Sequence, residues 1–224
     1  RSSAGSLKEN TSVLKISQLT KTYGNQLIFK NLDLLVDTGE WVGIVGENGA
    51  GKSTFVRIIT GLEKYSHGQI YLDGRTMATF SKKEWVQQIQ LVTQYTRRAL
   101  DPTKTIKQLL FEPLKQFQLA RKEEYLPKVE SVLSRCNLSV DILAKRSLEI
   151  SGGQYQRICI ALALLVQPKL LICDEATSSL DKINELWIIK LLKEQENMAV
   201  LFISHNKKLL KEVCDHSIQL EDYK

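Results

Sequence analysis

Apolar residues recur along this chain in two rhythms, and the change of rhythm divides it into parts. From position 13 to 36 they come in short β-like runs: Val13-Leu14-Lys15-Ile16, Leu27-Ile28-Phe29, and Leu32 to Val36. Tyr23-Gly24-Asn25 separates them and Asp37-Thr38-Gly39 closes them. Alternating runs bounded by turn residues predict an antiparallel β layer. Trp41-Val42-Gly43-Ile44-Val45 is a compact apolar strand leading straight into a glycine-rich turn, and from Lys52 to Gly61 the apolar residues take helical spacing. Gln69 to Leu72 and Ile89 to Thr93 read as further short strands, closed by Asp73-Gly74 and by Gln94.

Between Thr105 and about Val166 the rhythm is helical, with Pro113 and Pro127 as punctuation, which predicts an inserted helical subdomain. Strands return at Leu170-Leu171-Ile172-Cys173 and Ala199-Val200-Leu201-Phe202-Ile203, with a helix from about Lys182 to Gln195 between them. Continuous apolar runs of that length are expected of parallel strands covered on both faces. The predicted fold class is α/β in a single domain over 13–224. Its core is a mostly parallel sheet from about 13–95 and 167–220, with an N-terminal antiparallel layer and a helical subdomain at about 96–166. Residues 1–12, opening on Arg1-Ser2-Ser3-Ala4-Gly5-Ser6, read as a cloning remnant or a disordered arm.

Composition narrows the class. The chain has 224 residues, 43% of them hydrophobic, enough for one sizeable core. Its longest apolar stretches, such as Ile158 to Val166, fall short of the roughly 20 residues that cross a bilayer. Cys136, Cys159, Cys173 and Cys214 show no C-x-x-C spacing and no secretory h-region opens the chain, so a reducing cytosolic setting with mostly buried free thiols is expected. The formal charge of +6 suits phosphates, an anionic membrane surface or simply a solvated lysine-rich face. No zinc-finger spacing, aromatic RNP pattern or basic heptad helix accompanies it, so no nucleic-acid partner is expected.

Three motifs carry chemistry. Gly46-Glu47-Asn48-Gly49-Ala50-Gly51-Lys52-Ser53-Thr54 fits G-x-x-x-x-G-K-[ST], between a predicted strand and a predicted helix. Glycines let backbone N–H groups curl round phosphates, the helix N-terminus and Lys52 supply positive charge, and the Ser53 hydroxyl can ligate Mg²⁺. Asp174-Glu175 follows an apolar strand, at the edge where a parallel sheet binds ligands. Asp174 there suits Mg²⁺ and Glu175 suits a water that attacks phosphorus. Ile150-Ser151-Gly152-Gly153-Gln154 opens an apolar helix and forms a second anion-binding concavity. Since Lys52 serves the first, the second is expected to complete the site of another copy, with ATP between two molecules head to tail. Read alone, Ser-Gly-Gly is a flexible turn and Asp-Glu a solvated one; their meaning comes from each other.

In this order the motifs resemble the nucleotide-binding subunit of the ABC transporter family over essentially 13–220. The resemblance implies a P-loop NTPase core and identifies Walker A (Gly46 to Thr54), the signature (Ser151 to Gln154) and Walker B with its glutamate (Leu170 to Glu175). It further implies that Tyr23 stacks on adenine, that Gln94 reaches Mg²⁺ and the attacking water, and that Ser179-Leu180-Asp181 is the D-loop. His205 becomes the switch histidine at the γ-phosphate. ATP and Mg²⁺ are the implied cofactors. The implied partners are a second cassette, identical or homologous, two transmembrane permease subunits and, indirectly, an extracytoplasmic substrate-binding protein. The implied place is the cytoplasmic face of the membrane. Ile150 departs from the family's usual Leu, a volume-conserving change. Cys173 beside Asp174 raises oxidation sensitivity, against which its strand position argues.

The segment from Thr96 to Ile106, with its Leu100-Asp101-Pro102, is similar to a pattern in importers of peptides, nickel and metal chelates. Ending at Lys224, the chain fits the shorter nickel or metallophore type. The sequence admits two alternatives. A soluble ABC ATPase acting on nucleic acid or ribosomes usually carries a coiled-coil insertion or paired cassettes. A binding module without turnover is expected to lack Glu175 or His205.

Overall fold

The computed structural model describes residues 12–46, 49–94 and 98–224, so the arm read at 1–12 lies outside it except for Ser12, which opens the first strand. β1 (Ser12–Tyr23) and β2 (Gln26–Asp37) pair antiparallel, each 12 residues long. They join through Gly24-Asn25, where Gly24 takes φ 57°, the left-handed conformation a two-residue hairpin requires. The short runs of the sequence pattern are thus pieces of two long strands. Bulges interrupt strict alternation, with Gln18 and Asn31 at φ 50° and 53°, and each bulge shifts the register of inward residues. β4 (His67–Leu72) pairs with the other edge of β1, and β5 (Arg75–Thr76) completes a sheet of order β2-β1-β4-β5.

The second sheet is parallel throughout. β3 (Trp41–Val45), β6 (Ile89–Thr93), β7 (Leu170–Asp174), β8 (Ala199–Ser204) and β9 (His216–Gln219) take the order β6-β7-β8-β3-β9. Side chains alternate across it, and both faces of its central strands β3, β7 and β8 are dry. Ile44, Ile172, Leu201 and Ile203 pack toward Phe55 of α1 (Ala50–Ile59) and toward Leu14 and Ile16 of β1. Leu171, Cys173, Val200 and Phe202 pack the opposite way, against α5 (Gly152–Leu165) and α6 (Lys182–Lys193). Each such fully buried Ile or Leu contributes about 1.5–3 kcal/mol. This two-faced burial is why β7 and β8 read as unbroken apolar runs.

Between β6 and β7 stand α3 (Ile106–Gln116), α4 (Tyr125–Arg135) and α5. The prolines do not punctuate this stretch. Pro113 lies inside α3, where it is buried, and Pro127 lies in the first turn of α4. A first-turn N–H has no intrahelical acceptor to lose, so Pro127 is cheap, whereas Pro113 removes a real helical bond that packing of Leu109, Leu110 and Leu114 offsets. Two further helices carry no strong apolar signal: α2 (Lys82–Gln88), started by a Ser81/Glu84 capping box, and α7 (Lys207–Val213), capped by Asn206. Among the described residues no helix is long and apolar enough to cross a membrane.

The strand order has one consequence for chemistry. β6, β7, β8 and β3 are adjacent and parallel, so the residues following them line one edge of the sheet in the order Gln94, Asp174-Glu175, Ser204-His205, Gly46. Backbone bonds continue past the strands: Gln94 N donates to Asp174 O (3.1 Å), Glu175 N to Ile203 O (3.0 Å) and Gly46 N to Ser204 O (3.4 Å). Four segments distant in sequence are thereby fixed side by side.

Candidate functional site

Lys52 is the centre of this edge. It sits in the first turn of α1, 8% exposed, and its stem passes over Gly46 so closely that a Cβ there would stand 3.1 Å from Lys52 Cδ. Any larger residue at position 46 would push the Lys52 stem aside by a few tenths of an ångström. Lys52 Nζ lies 3.3 Å from Glu175 Oε1 and 3.7 Å from Asp174 Oδ1. The first turn of α1 holds no acidic residue, and its N-cap, Gly49, has no side chain to satisfy the free N–H groups, which leaves positive potential at that end.

Glu175 takes φ 53°, a left-handed conformation that costs a residue with a Cβ roughly 1–2 kcal/mol. The turn aims its carboxylate back at Lys52 and across to β8. Glu175 Oε1 accepts from the His205 backbone N–H at 2.9 Å and lies 2.8 Å from His205 Nδ1. The His205 ring is otherwise exposed. Strain at a residue that three separate elements hold in place is typical of functional positions.

Asp174 ends β7 with Oδ1 buried and without a hydrogen-bond partner among the described residues. Burial pushes its carboxyl above the ordinary range, with Lys52 pulling it back and Glu175 adding to the rise. A buried carboxylate oxygen with no hydrogen bond, its ion-pair partner Lys52 standing off at 3.7 Å, fits a divalent cation. Among the described residues no cluster of three or more His, Cys, Asp or Glu could hold a metal alone. That suits Mg²⁺, which takes one or two carboxylates and fills its remaining positions with water, phosphate and other oxygens. Ser53 is exposed on α1 beside Lys52, and Gln94 is exposed at the end of β6.

A family model described as ABC transporter matches residues 29–178, which span the Lys52 loop, the Ser151 helix start and Asp174-Glu175. The chain belongs to the ABC transporter family. Among its relatives, the nickel import ATP-binding protein NikE of Escherichia coli (strain K12) is 35% identical over 94% of this chain and 84% of its own. That of Shigella boydii serotype 4 (strain Sb227) is 36% identical over 88% and 76%. Among solved structures, the ATP binding subunit of an ABC transporter superposes with a TM-score of 0.82 at 26% identity, covering 93% of this chain and 85% of that one. The cbiO1 protein of Clostridium perfringens, part of the ABC transporter complex cbiONQ, gives 0.81 at 26%, covering 94% and 85%. The α/β architecture is therefore that of ABC ATP-binding subunits.

The remaining candidates of the cassette fall into two groups. Tyr23, at the end of β1, reaches α1: its hydroxyl lies 3.4 Å from Thr54 Oγ1, and Thr54 is buried. Gly51 and Thr54 line the same helix start, whereas Asn48 lies outside the described residues and Ala50 is described by its backbone alone. The Ser151-Gly152-Gly153-Gln154 rim stands apart. Ser151 Oγ accepts from Gln154 N (3.2 Å) and Gln154 Oε1 accepts from Ser151 N (3.0 Å), a capping box that opens α5. None of the rim's hydrogen bonds or ion pairs among the described residues reaches Lys52, Asp174 or Glu175. Asp181 also caps a helix, α6, accepting from Asn184 N and Asn184 Nδ2, both at 2.8 Å, and these bonds hold its carboxyl below the usual range.

Gln156 and Arg157, which follow the rim in sequence without an assigned role, gain one in α5. Gln156 is 1% exposed, and its Nε2 donates to Thr93 O (3.1 Å) and Ala176 O (2.8 Å), tying the rim's helix to the ends of both β6 and β7. Arg157 donates to Asn184 Oδ1 (3.0 Å) and covers the Trp187 ring, tying it to α6. A buried glutamine one turn into a helix is the available signal, since a buried amide demands partners. All four thiols are free; burial pushes Cys136 up to about 11 and Cys159 and Cys214 up to about 12, and Cys173 is raised further still. Burial keeps these thiols protonated at neutral pH, Cys173 most of all, which disfavours the reactive thiolate.

Proposed function

We propose that this chain is the ATP-binding and hydrolysing subunit that energises an ABC transporter, an importer of peptides, nickel or metal-chelate complexes. The observation that carries the reading is Lys52 Nζ facing Glu175 Oε1 at 3.3 Å and Asp174 Oδ1 at 3.7 Å beside an uncapped helix N-terminus. One cation and a row of N–H groups suit a polyphosphate, and two carboxylates suit a metal and a water beside it.

In this reading the backbone N–H groups of residues 46–54 and the Lys52 ammonium grip the β- and γ-phosphates, and Tyr23 lies against the base. Mg²⁺, held by Asp174, Ser53 and Gln94 with phosphate oxygens, would neutralise charge that develops on the phosphates. Glu175 accepts the proton of the attacking water or orients it, and Gln94 aligns it. His205, anchored on Glu175, extends its ring to the γ-phosphate. The Ser151 to Gln154 rim and Asp181 close the site from a second cassette. That these groups, among the described residues, bond within their own helices and not to Lys52, Asp174 or Glu175 supports a partner molecule as their target.

The domain reading accompanies it: a RecA-like core at 13–95 and 167–220, and a helical subdomain at 96–166 that moves with ATP closure. Two permease subunits take up that motion, with a substrate-binding protein upstream, and the cassette sits peripherally on the cytoplasmic face of the membrane. Among the proposed cargoes, nickel is supported by the NikE relatives. Titration of the purified chain with ATP and Mg²⁺, against Lys52→Ala, tests the reading. Binding by the parent and none by the variant supports it; an unchanged titration in Lys52→Ala overturns the loop assignment.

A further inference from the structure

Tyr23 is held by more contacts than a stacking aromatic needs. Its hydroxyl donates to Glu63 Oε1, in the turn that follows α1. Arg57 of α1 braces the same carboxylate, Nε donating to Glu63 Oε2 at 2.9 Å, while its Nη2 lies 3.4 Å from the Tyr23 hydroxyl and 3.3 Å from Thr54 Oγ1. Lys21, 9% exposed, closes the cluster. Its ammonium donates to Lys64 O (2.7 Å), pairs with Glu63 Oε1 (3.5 Å) and stands 4.7 Å over the centroid of the Tyr23 ring. That ammonium thus has one hydrogen bond, one ion pair and one aromatic face around it.

We propose that Glu63, Arg57 and Lys21 are positioning residues for the nucleotide base: they fix the Tyr23 ring beside the first turn of α1 and cover one of its faces, so that the base stacks on the other. The inference rests on the reading of Tyr23 as the base-stacking residue. A free tyrosine would lose ring freedom when ATP binds, at a cost in affinity; here the anchor on Glu63 has restricted it beforehand, and preorganisation of this kind strengthens binding. The hydrogen bonds from Tyr23 and Arg57 keep the Glu63 carboxyl below its usual range, so it stays an acceptor at any neutral pH.

The test compares ATP with inorganic tripolyphosphate, which has the phosphates and no base. Glu63→Ala is expected to weaken ATP binding roughly fivefold or more, on the scale of a base–aromatic stack, and to leave tripolyphosphate affinity unchanged. Glu63→Gln, which keeps the acceptor, restores most of the loss. In a Tyr23→Ala background Glu63→Ala has no further effect, because its action runs through the ring. Equal weakening of both ligands, an undiminished loss in the Tyr23→Ala background, or no loss of ATP affinity in Glu63→Ala overturns the proposal. Tyr23→Ala that binds ATP like the parent overturns the base-stacking reading itself and the proposal with it. Arg57→Met removes the other arm of the network and repeats the comparison should Glu63→Ala not fold.

Discussion

Glu175 Oε1 receives His205 twice, from the backbone N–H at 2.9 Å and against ring Nδ1 at 2.8 Å, while Lys52 Nζ approaches the same oxygen at 3.3 Å. One carboxylate oxygen is thus the meeting point of β7, β8 and α1. With Nδ1 occupied by Glu175, the outer ring nitrogen of His205 is left to face a ligand.

His205→Ala keeps the backbone bond to Glu175 and removes only the ring. ATP affinity is expected to stay within about twofold, while turnover falls roughly 100-fold, the usual cost of losing one group that meets charge in the transition state. ATP titration and phosphate release on one preparation check it. Loss of affinity with turnover preserved at saturation contradicts the assigned role.

Gly153 allows the rim to be tested without disturbing the fold. A Cβ built there meets nothing within 4 Å, and its backbone is helical, so Gly153→Asp is expected to fold and to bind ATP like the parent. On the proposed reading the added carboxylate would face the phosphate bound by the partner and repel it. Turnover is expected to fall about 100-fold, and ATP-dependent association with the second cassette is lost. Normal turnover in Gly153→Asp removes the rim from the site.

Asp174 gives a pH dependence. Its folded pKa is raised, chiefly by burial, so the folded chain binds this proton more tightly than the unfolded one. The stability associated with it is complete below the unfolded value and is lost as pH rises through the folded value. Without metal, Asp174→Asn is therefore expected to melt above the parent at neutral and alkaline pH, with the gain fading as acid protonates Asp174. The same variant loses Mg²⁺-dependent turnover. Melts in a chelator across pH check the sign; a variant less stable than the parent in alkali contradicts it.

Gln156→Ala strands two carbonyls, Thr93 O and Ala176 O, that now share one amide. A buried acceptor left unpaired costs about 1–3 kcal/mol, which lowers the melting temperature of a chain this size by roughly 2–4 °C per kcal/mol. Differential scanning calorimetry measures it, and a change under one degree removes Gln156 as a structural tie.

How much of this was legible in the sequence depended on range. The strand-loop-helix around Lys52 was readable because every cue, from Trp41 to Ile59, lies within about five turns of chain. The unbroken apolar runs of β7 and β8 announced two-faced burial. The strand order was not readable: that β8 separates β7 from β3, and so brings His205 beside Glu175, is settled by packing between segments far apart in sequence. The left-handed turn at Glu175 was hidden because Glu carries no conformational signature, unlike Gly24. Pro113 misled, since a proline that breaks an isolated helix survives where buried leucines on either side hold the helix in place. As site candidates Lys52, Asp174, Glu175 and His205 followed from motif and resemblance; their convergence on one oxygen, and the capping duties of Ser151 and Asp181, required the fold.

The most direct measurement is phosphate release by Glu175→Gln alongside its ATP occupancy. Glutamine preserves an oxygen facing His205 and Lys52 but is a poor proton acceptor. Full ATP occupancy is expected, with turnover reduced by about two orders of magnitude or more. Turnover close to that of the parent, at equal occupancy, would contradict the catalytic role of Glu175.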